Sequence, residues 1–158
     1  MLDKLPFLPL FRDLEPAQTD LVKSAFEPYF CAAETVIFEQ GAPAMYMYLI
    51  LEGRVGLHYK PYDGPSMVLT RLRDGDVFGW SAVIRSPRYT SSITSETPLD
   101  AIRIHGRDLW KLVENHPQTG GVIIDRLAQI VAPRWQNAHA QLHAFSDLQL
   151  KTREEVVP

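Results

Sequence analysis

The stretch GDVFGWSAVIRSPRYTSSIT, residues 75–94, gathers the groups that could hold a small anion. Gly79 permits a sharp turn and a close backbone approach that a side chain would block. A short helix beginning near Trp80 leaves its first amides, those of Trp80, Ser81 and Ala82, without intrahelical partners, and such amides suit a phosphate. Arg88, nine residues after Gly79, offers a forked and permanently charged donor. Arg85, on the short helix itself, is expected to face solvent. Thr90, Ser91 and Ser92 supply hydroxyls that could reach the same anion or simply decorate a wet strand face. Ser81 could donate to the anion or cap the helix.

Other chemistries find less support. His139 and His143 are four apart, hence on one helix face, the geometry of half a zinc site. No cysteine or carboxylate stands beside them at ligand spacing, and His58 and His105 are isolated, so no metal site is expected. A serine nucleophile would need a Gly-x-Ser-x-Gly elbow, which the chain lacks. The single cysteine, Cys31, allows no internal disulfide and reads as buried packing. No catalytic residue is expected.

Composition bounds the partners. At 158 residues, with 46% apolar and 22% charged residues, the chain suits one ordinary globular domain. A formal net charge of −3 without basic blocks gives no footprint for nucleic acid or an anionic membrane. The longest apolar run, Ala44 to Leu51, is far too short to span a bilayer, and Pro6, Pro9 and Arg12 interrupt any leader-like core. A cytoplasmic location is the expectation.

The cassette must be positioned by the elements around it. Residues 1–30 read as N-terminal helices, with Leu14, Leu21, Val22 and Phe26 apolar and Pro16 suited to a first helical turn. From 31 to 106 the texture is β. The runs 35–40, 45–51, 54–60, 66–73, 90–96 and 99–105 are rich in β-branched and aromatic residues and separated by Gly- and Pro-bearing turns. Linkers this short allow antiparallel pairing only. Residues 107–150 return to helical spacing, with Pro133 placed to bend or split the run. Val131, Trp135, Ala138, Leu142 and Phe145 form a seam that could pack on the β-structure or on a second copy as a homodimer. Residues 151–158 read as a loose tail. The fold class is mainly β with flanking helices (α+β), a small antiparallel jelly-roll barrel with a Pro-bent C-terminal helical segment.

In order and spacing this arrangement resembles the cyclic nucleotide-binding domain over residues 5–148. LPLFRDLEPAQTDLVKSAFEPYF is similar to that family's opening helices. AAETVIFEQGAPAMYMYLILEGRVGLHY is similar to its first hairpin, with turn glycines at Gly41 and Gly53. LRDGDVFGWSAV is similar to the approach to its phosphate-binding cassette (78–92 here), and ENHPQTGGVIIDRLAQIVAPRW to its trailing helices. The resemblance implies a stand-alone, non-catalytic sensor module for cyclic AMP, cyclic GMP or another small anion, signalling through its C-terminal helices.

It also implies a glutamate directly after the cassette glycine, to grip the ribose, and an arginine about ten residues on. This chain reads Phe78-Gly79-Trp80 instead, and gapless counting puts Tyr89 in the arginine position, next to Arg88. Losing one charged hydrogen bond of roughly 1.5–3 kcal/mol weakens a site about ten- to a hundred-and-fifty-fold. Trp80 could offset this by stacking on a base, or could fill the vacated pocket. The ligand-binding set expected from resemblance is Phe78, Gly79, Trp80, Ser81, Ala82, Arg88, Tyr89 and Thr90. The alternative is a degenerate module that binds no nucleotide and serves as an interaction or dimerisation unit. A DNA-binding regulator is disfavoured, because only about eight residues follow the last expected helix.

Overall fold

The computed structural model describes residues 8–131. After turns at 8–13, α1 (Pro16–Ala25) opens with proline at a position where its missing N–H costs nothing. Glu15 and Gln18 close its first turn reciprocally. The chain then enters β1 (Glu27–Cys31), inside the stretch expected to be helical. Pro28 ends the helical pattern, and it is tolerated in a strand because β1 lies at a sheet edge.

Seven further strands follow: β2 (Val36–Phe38), β3 (Tyr46–Glu52), β4 (Val55–Tyr59), β5 (Met67–Leu72), β6 (Val77–Phe78), β7 (Ser92–Ser95) and β8 (Leu99–His105). They form two four-stranded sheets, ordered β1-β8-β3-β6 and β2-β7-β4-β5. Every paired neighbour is antiparallel. This is the double-sheet jelly roll, so the expected fold class is observed.

Strand β3 explains how the roll is held between layers. Met47, Leu49 and Leu51 alternate toward the helices, where they meet Ile102 and Ile104 of β8 and Phe11, Val22 and Phe26 from the N-terminal segment. Tyr48 and Ile50 point the other way, into the space between the sheets, with Phe78, Ile93 and Ala101. A strand covered on both faces reads as an unbroken apolar run, as Met45 to Leu51 does.

Two helices close the helix-side layer. In α2 (Gly106–Asn115), Leu109 and Leu112 are buried, and the His105 Nδ1 accepts from the Arg107 N–H at 3.1 Å as the cap. Residues 117–131 form α3, with Ile123, Leu127 and Val131 buried at intervals of four. Val131, the first residue of the seam that could pack on the β-structure or on a second copy, belongs to this chain's own core: α3 turns it inward to bury apolar surface against the roll. The other seam residues (Trp135, Ala138, Leu142 and Phe145), together with Pro133, His139, His143 and the 151–158 tail, lie outside the described residues. Among the described residues, no helix is long and apolar enough to cross a membrane.

Candidate functional site

The cassette begins where β6 ends. Gly79 adopts φ 80° and ψ 27°, and a Cβ there would lie 2.6 Å from the Tyr46 carbonyl oxygen and 3.3 Å from the Met47 Cα. Only glycine fits that approach. A single 3-10 turn, Trp80–Ala82, follows, as the sequence predicts. The chain then leaves the cassette turn through Arg85, which takes the left-handed conformation at φ 60°. The turn sits directly on α2. A side chain on Gly106 would collide with the Ala82 carbonyl, and the Trp110 indole N–H donates to the Val83 carbonyl at 2.7 Å.

Behind the turn lies a cavity of about 170 Å³. Phe78, Gly79, Trp80, Ser81, Tyr89 and Thr90 line it, so six of the eight expected residues come together. Ala82 and Arg88 do not. The Ala82 N–H donates to the Gly79 carbonyl at 3.1 Å, which spends one of the three amides expected to face an anion. The Arg88 guanidinium lies outside, exposed, with Nη1 donating to the Gly41 carbonyl at 2.7 Å. Its backbone bridges to Pro43, so the side chain braces the 41–43 turn and leaves the cavity to its neighbour.

That neighbour is Tyr89. Its hydroxyl donates to the Tyr46 carbonyl at 2.7 Å and accepts from the Tyr46 N–H at 3.0 Å, satisfying both backbone groups where β3 begins. Its ring stacks on Phe38 with centroids 3.6 Å apart and planes 10° from parallel. Burial pushes its phenol up to about 12. Ser81 is buried without capping the turn, a role taken by Gly79. Thr90 stands exposed at the rim, and Ser92 accepts from the Gln40 N–H.

Ser91, whose hydroxyl the sequence offered, also lines the cavity, whereas sequence reasoning missed Phe38, Leu57, Thr70, Ile84, Ile93 and, from α3, Val131. Strand alternation in β4 and β7 is the signal that could have placed Leu57 and Ile93 inward. Among the described residues lining the cavity, none carries a charge. A phosphate entering it would be desolvated with no opposite charge to meet it.

A different guanidinium does reach the inter-sheet face. Arg103 of β8 bonds the Glu27 carboxylate at 2.6 Å and lies over the rings of Tyr46, at 4.1 Å, and Tyr29, at 5.2 Å. Cys31, beside Tyr29, is half-buried against the same layer. Among the described residues, no group of three or more histidine, cysteine, aspartate or glutamate side chains is placed to hold a metal.

Comparison with known proteins agrees with this architecture. The cyclic nucleotide-binding domain model matches residues 30–116. The cyclic AMP receptor protein of Thermus thermophilus is 25% identical over 145 residues, covering 92% of this chain and 65% of that protein. The cAMP-dependent protein kinase regulatory subunit of Aspergillus fumigatus is 29% identical over 104 residues, 66% of this chain and 24% of that one. A crystal structure of a cyclic nucleotide-binding domain from Methylobacillus flagellatus superposes with a TM-score of 0.76 at 22% identity, covering 90% of this chain and 80% of that chain. This chain spans 55% to 65% of the length of the bacterial regulators it matches.

Proposed function

The chain belongs to the cyclic nucleotide-binding domain family, and from that premise we propose that it is a non-catalytic regulatory module whose pocket does not take the phosphate of cyclic AMP or cyclic GMP. The observation that carries this reading is Tyr89. It occupies the position where the family resemblance implies an arginine, and both hydrogen-bonding capacities of its hydroxyl are committed to the Tyr46 backbone. Trp80 stands where the ribose carboxylate would be, and Arg88 is engaged elsewhere. An anion would therefore exchange its hydration for a neutral wall, at a cost of several kcal/mol. Output runs through the C-terminal helices, because Val131 of α3 forms part of the cavity wall. The seam read from the sequence beyond it, Trp135, Ala138, Leu142 and Phe145, would serve interaction or dimerisation.

Titrating cyclic AMP and cyclic GMP to millimolar concentration, read by tryptophan fluorescence and melting temperature, tests this directly. No saturable shift is expected. Saturable binding that disappears in Arg88→Ala would restore the anion-sensor reading, with the Arg88 guanidinium swinging from Gly41 to the ligand.

A further inference from the structure

We propose that the cavity takes an uncharged molecule of one or two aromatic rings carrying a single hydrogen-bonding group. This rests on the reading above that no nucleotide phosphate enters. Size sets the first limit. At about 170 Å³ the space is close to the roughly 150 Å³ that holds a benzene in an apolar protein interior. It falls short of the roughly 300 Å³ at which pockets for larger ligands begin, so it matches a ring better than a base, sugar and phosphate together.

Chemistry sets the second limit. The walls are Leu57, Phe78, Trp80, Ile84, Ile93 and Val131, a surface that favours a flat apolar body and rejects a charge. Among the described residues lining the cavity, the hydroxyl-bearing ones besides Tyr89 are Thr70, Ser81, Thr90 and Ser91, all neutral. Ser81 is the buried one among them, so a ligand hydroxyl or N–H directed at it would be matched away from water, whereas further polar groups would meet only the less buried Thr70, Thr90 and Ser91.

Position gives occupancy a consequence. Ile84, on the cassette loop, is 56% exposed although it borders the cavity, whereas Val131 on α3 is 4% exposed. A ring between them would touch both the loop and the helix. Filling the cavity would draw Ile84 inward against the ligand and fix the loop relative to α3.

Phenol and indole are the probes, titrated into the full chain with the isoleucine and valine methyl groups observed by NMR. The Ile84, Ile93 and Val131 methyls should shift together with half-saturation below about 1 mM. Ser91→Phe, which fills the space from its half-buried edge, should weaken the response at least tenfold. Thr70→Leu serves the same purpose should Ser91→Phe fail to fold. Methyls that stay unshifted with both probes at millimolar concentration, or that shift equally in the filled variant, overturn the proposal. Saturation by cyclic AMP would instead overturn the parent reading, so the two failures are told apart in one set of titrations.

Discussion

At the β1–β8 edge of the roll, Arg103 lies on the inter-sheet face, held by the Glu27 carboxylate and two tyrosine rings. At the cassette end, Arg88 stays outside with one backbone carbonyl as its partner. Both ends are rich in aromatic rings, so rings alone do not draw a guanidinium inward. The difference is the carboxylate. Burying part of a cation requires an opposite charge within a few ångströms, and ring faces add to that attraction without replacing it. Among the described residues lining the cavity, the cassette end offers Phe38, Phe78, Trp80 and Tyr89 with several hydroxyls and no acid. The cavity lining is therefore neutral, whereas the neighbouring face of β8, on the other side of Tyr46, holds a charge.

The largest effect is expected where the cassette end is fixed to β3. Gly79→Ala places a Cβ 2.6 Å from the Tyr46 carbonyl oxygen in a left-handed backbone. Strain and crowding together should cost about 3 kcal/mol in chemical denaturation. A change below 1 kcal/mol would show that the turn is free to move and that its neutral cavity is not fixed. Next in size is Tyr89→Phe. It removes one hydroxyl and leaves the Tyr46 N–H and carbonyl unsatisfied, at roughly 1–3 kcal/mol.

The tyrosines also set a pH limit. Burial pushes Tyr89 up to about 12; burial, followed by the nearby Cys31, pushes Tyr29 equally far, and burial raises Tyr48 as well. In the unfolded chain these phenols ionise near pH 10. For Tyr89 and Tyr29 the stabilising contribution is complete below that value and is lost as pH rises through about 12, because the unfolded state then releases protons that the folded state retains; Tyr48 acts in the same direction. Denaturation midpoints should fall over this window, and less steeply in Tyr89→Phe. An unchanged slope in that variant would mean that its hydroxyl is not shielded as described.

Much of this arrangement can be read from residue types. The runs at 45–51 and 99–105 are long, β-branched and bounded by turns, and they became β3 and β8. Gly79 announced the cassette turn because few other positions call for a positive φ beside a short helix. Strand β6 escaped notice because two residues cannot display a period, and β1 because Pro28 and the preceding helical pattern hid it. The cassette's charge balance was harder still. Counting from Gly79 brings Arg88 and Tyr89 to the same neighbourhood, but adjacent residues in extended chain leave on opposite sides. Which of the two turns inward depends on the bridge between Arg88 and Pro43, a pairing 45 positions apart in the chain that no local spacing encodes.

The sharpest test of the comparison is also the one with the smallest effects. Arg103→Met keeps the length and packing of the side chain and removes the charge over both rings. Glu27 is half-exposed and regains water, so the loss should be about 1 kcal/mol, mostly the cation–ring attraction. Raising the salt concentration should shrink it, since the ion pair is partly screened. Arg88→Met should change stability by no more than about 0.5 kcal/mol, as for a surface side chain with one exposed hydrogen bond, and salt should not alter the result. Paired urea denaturation at low and high salt measures both. If Arg88→Met proved the costlier change, its bond to Gly41 would be holding the cassette loop closed. The cassette arginine would then act on the cavity from outside, and the neutrality of the lining alone would no longer explain what the pocket admits.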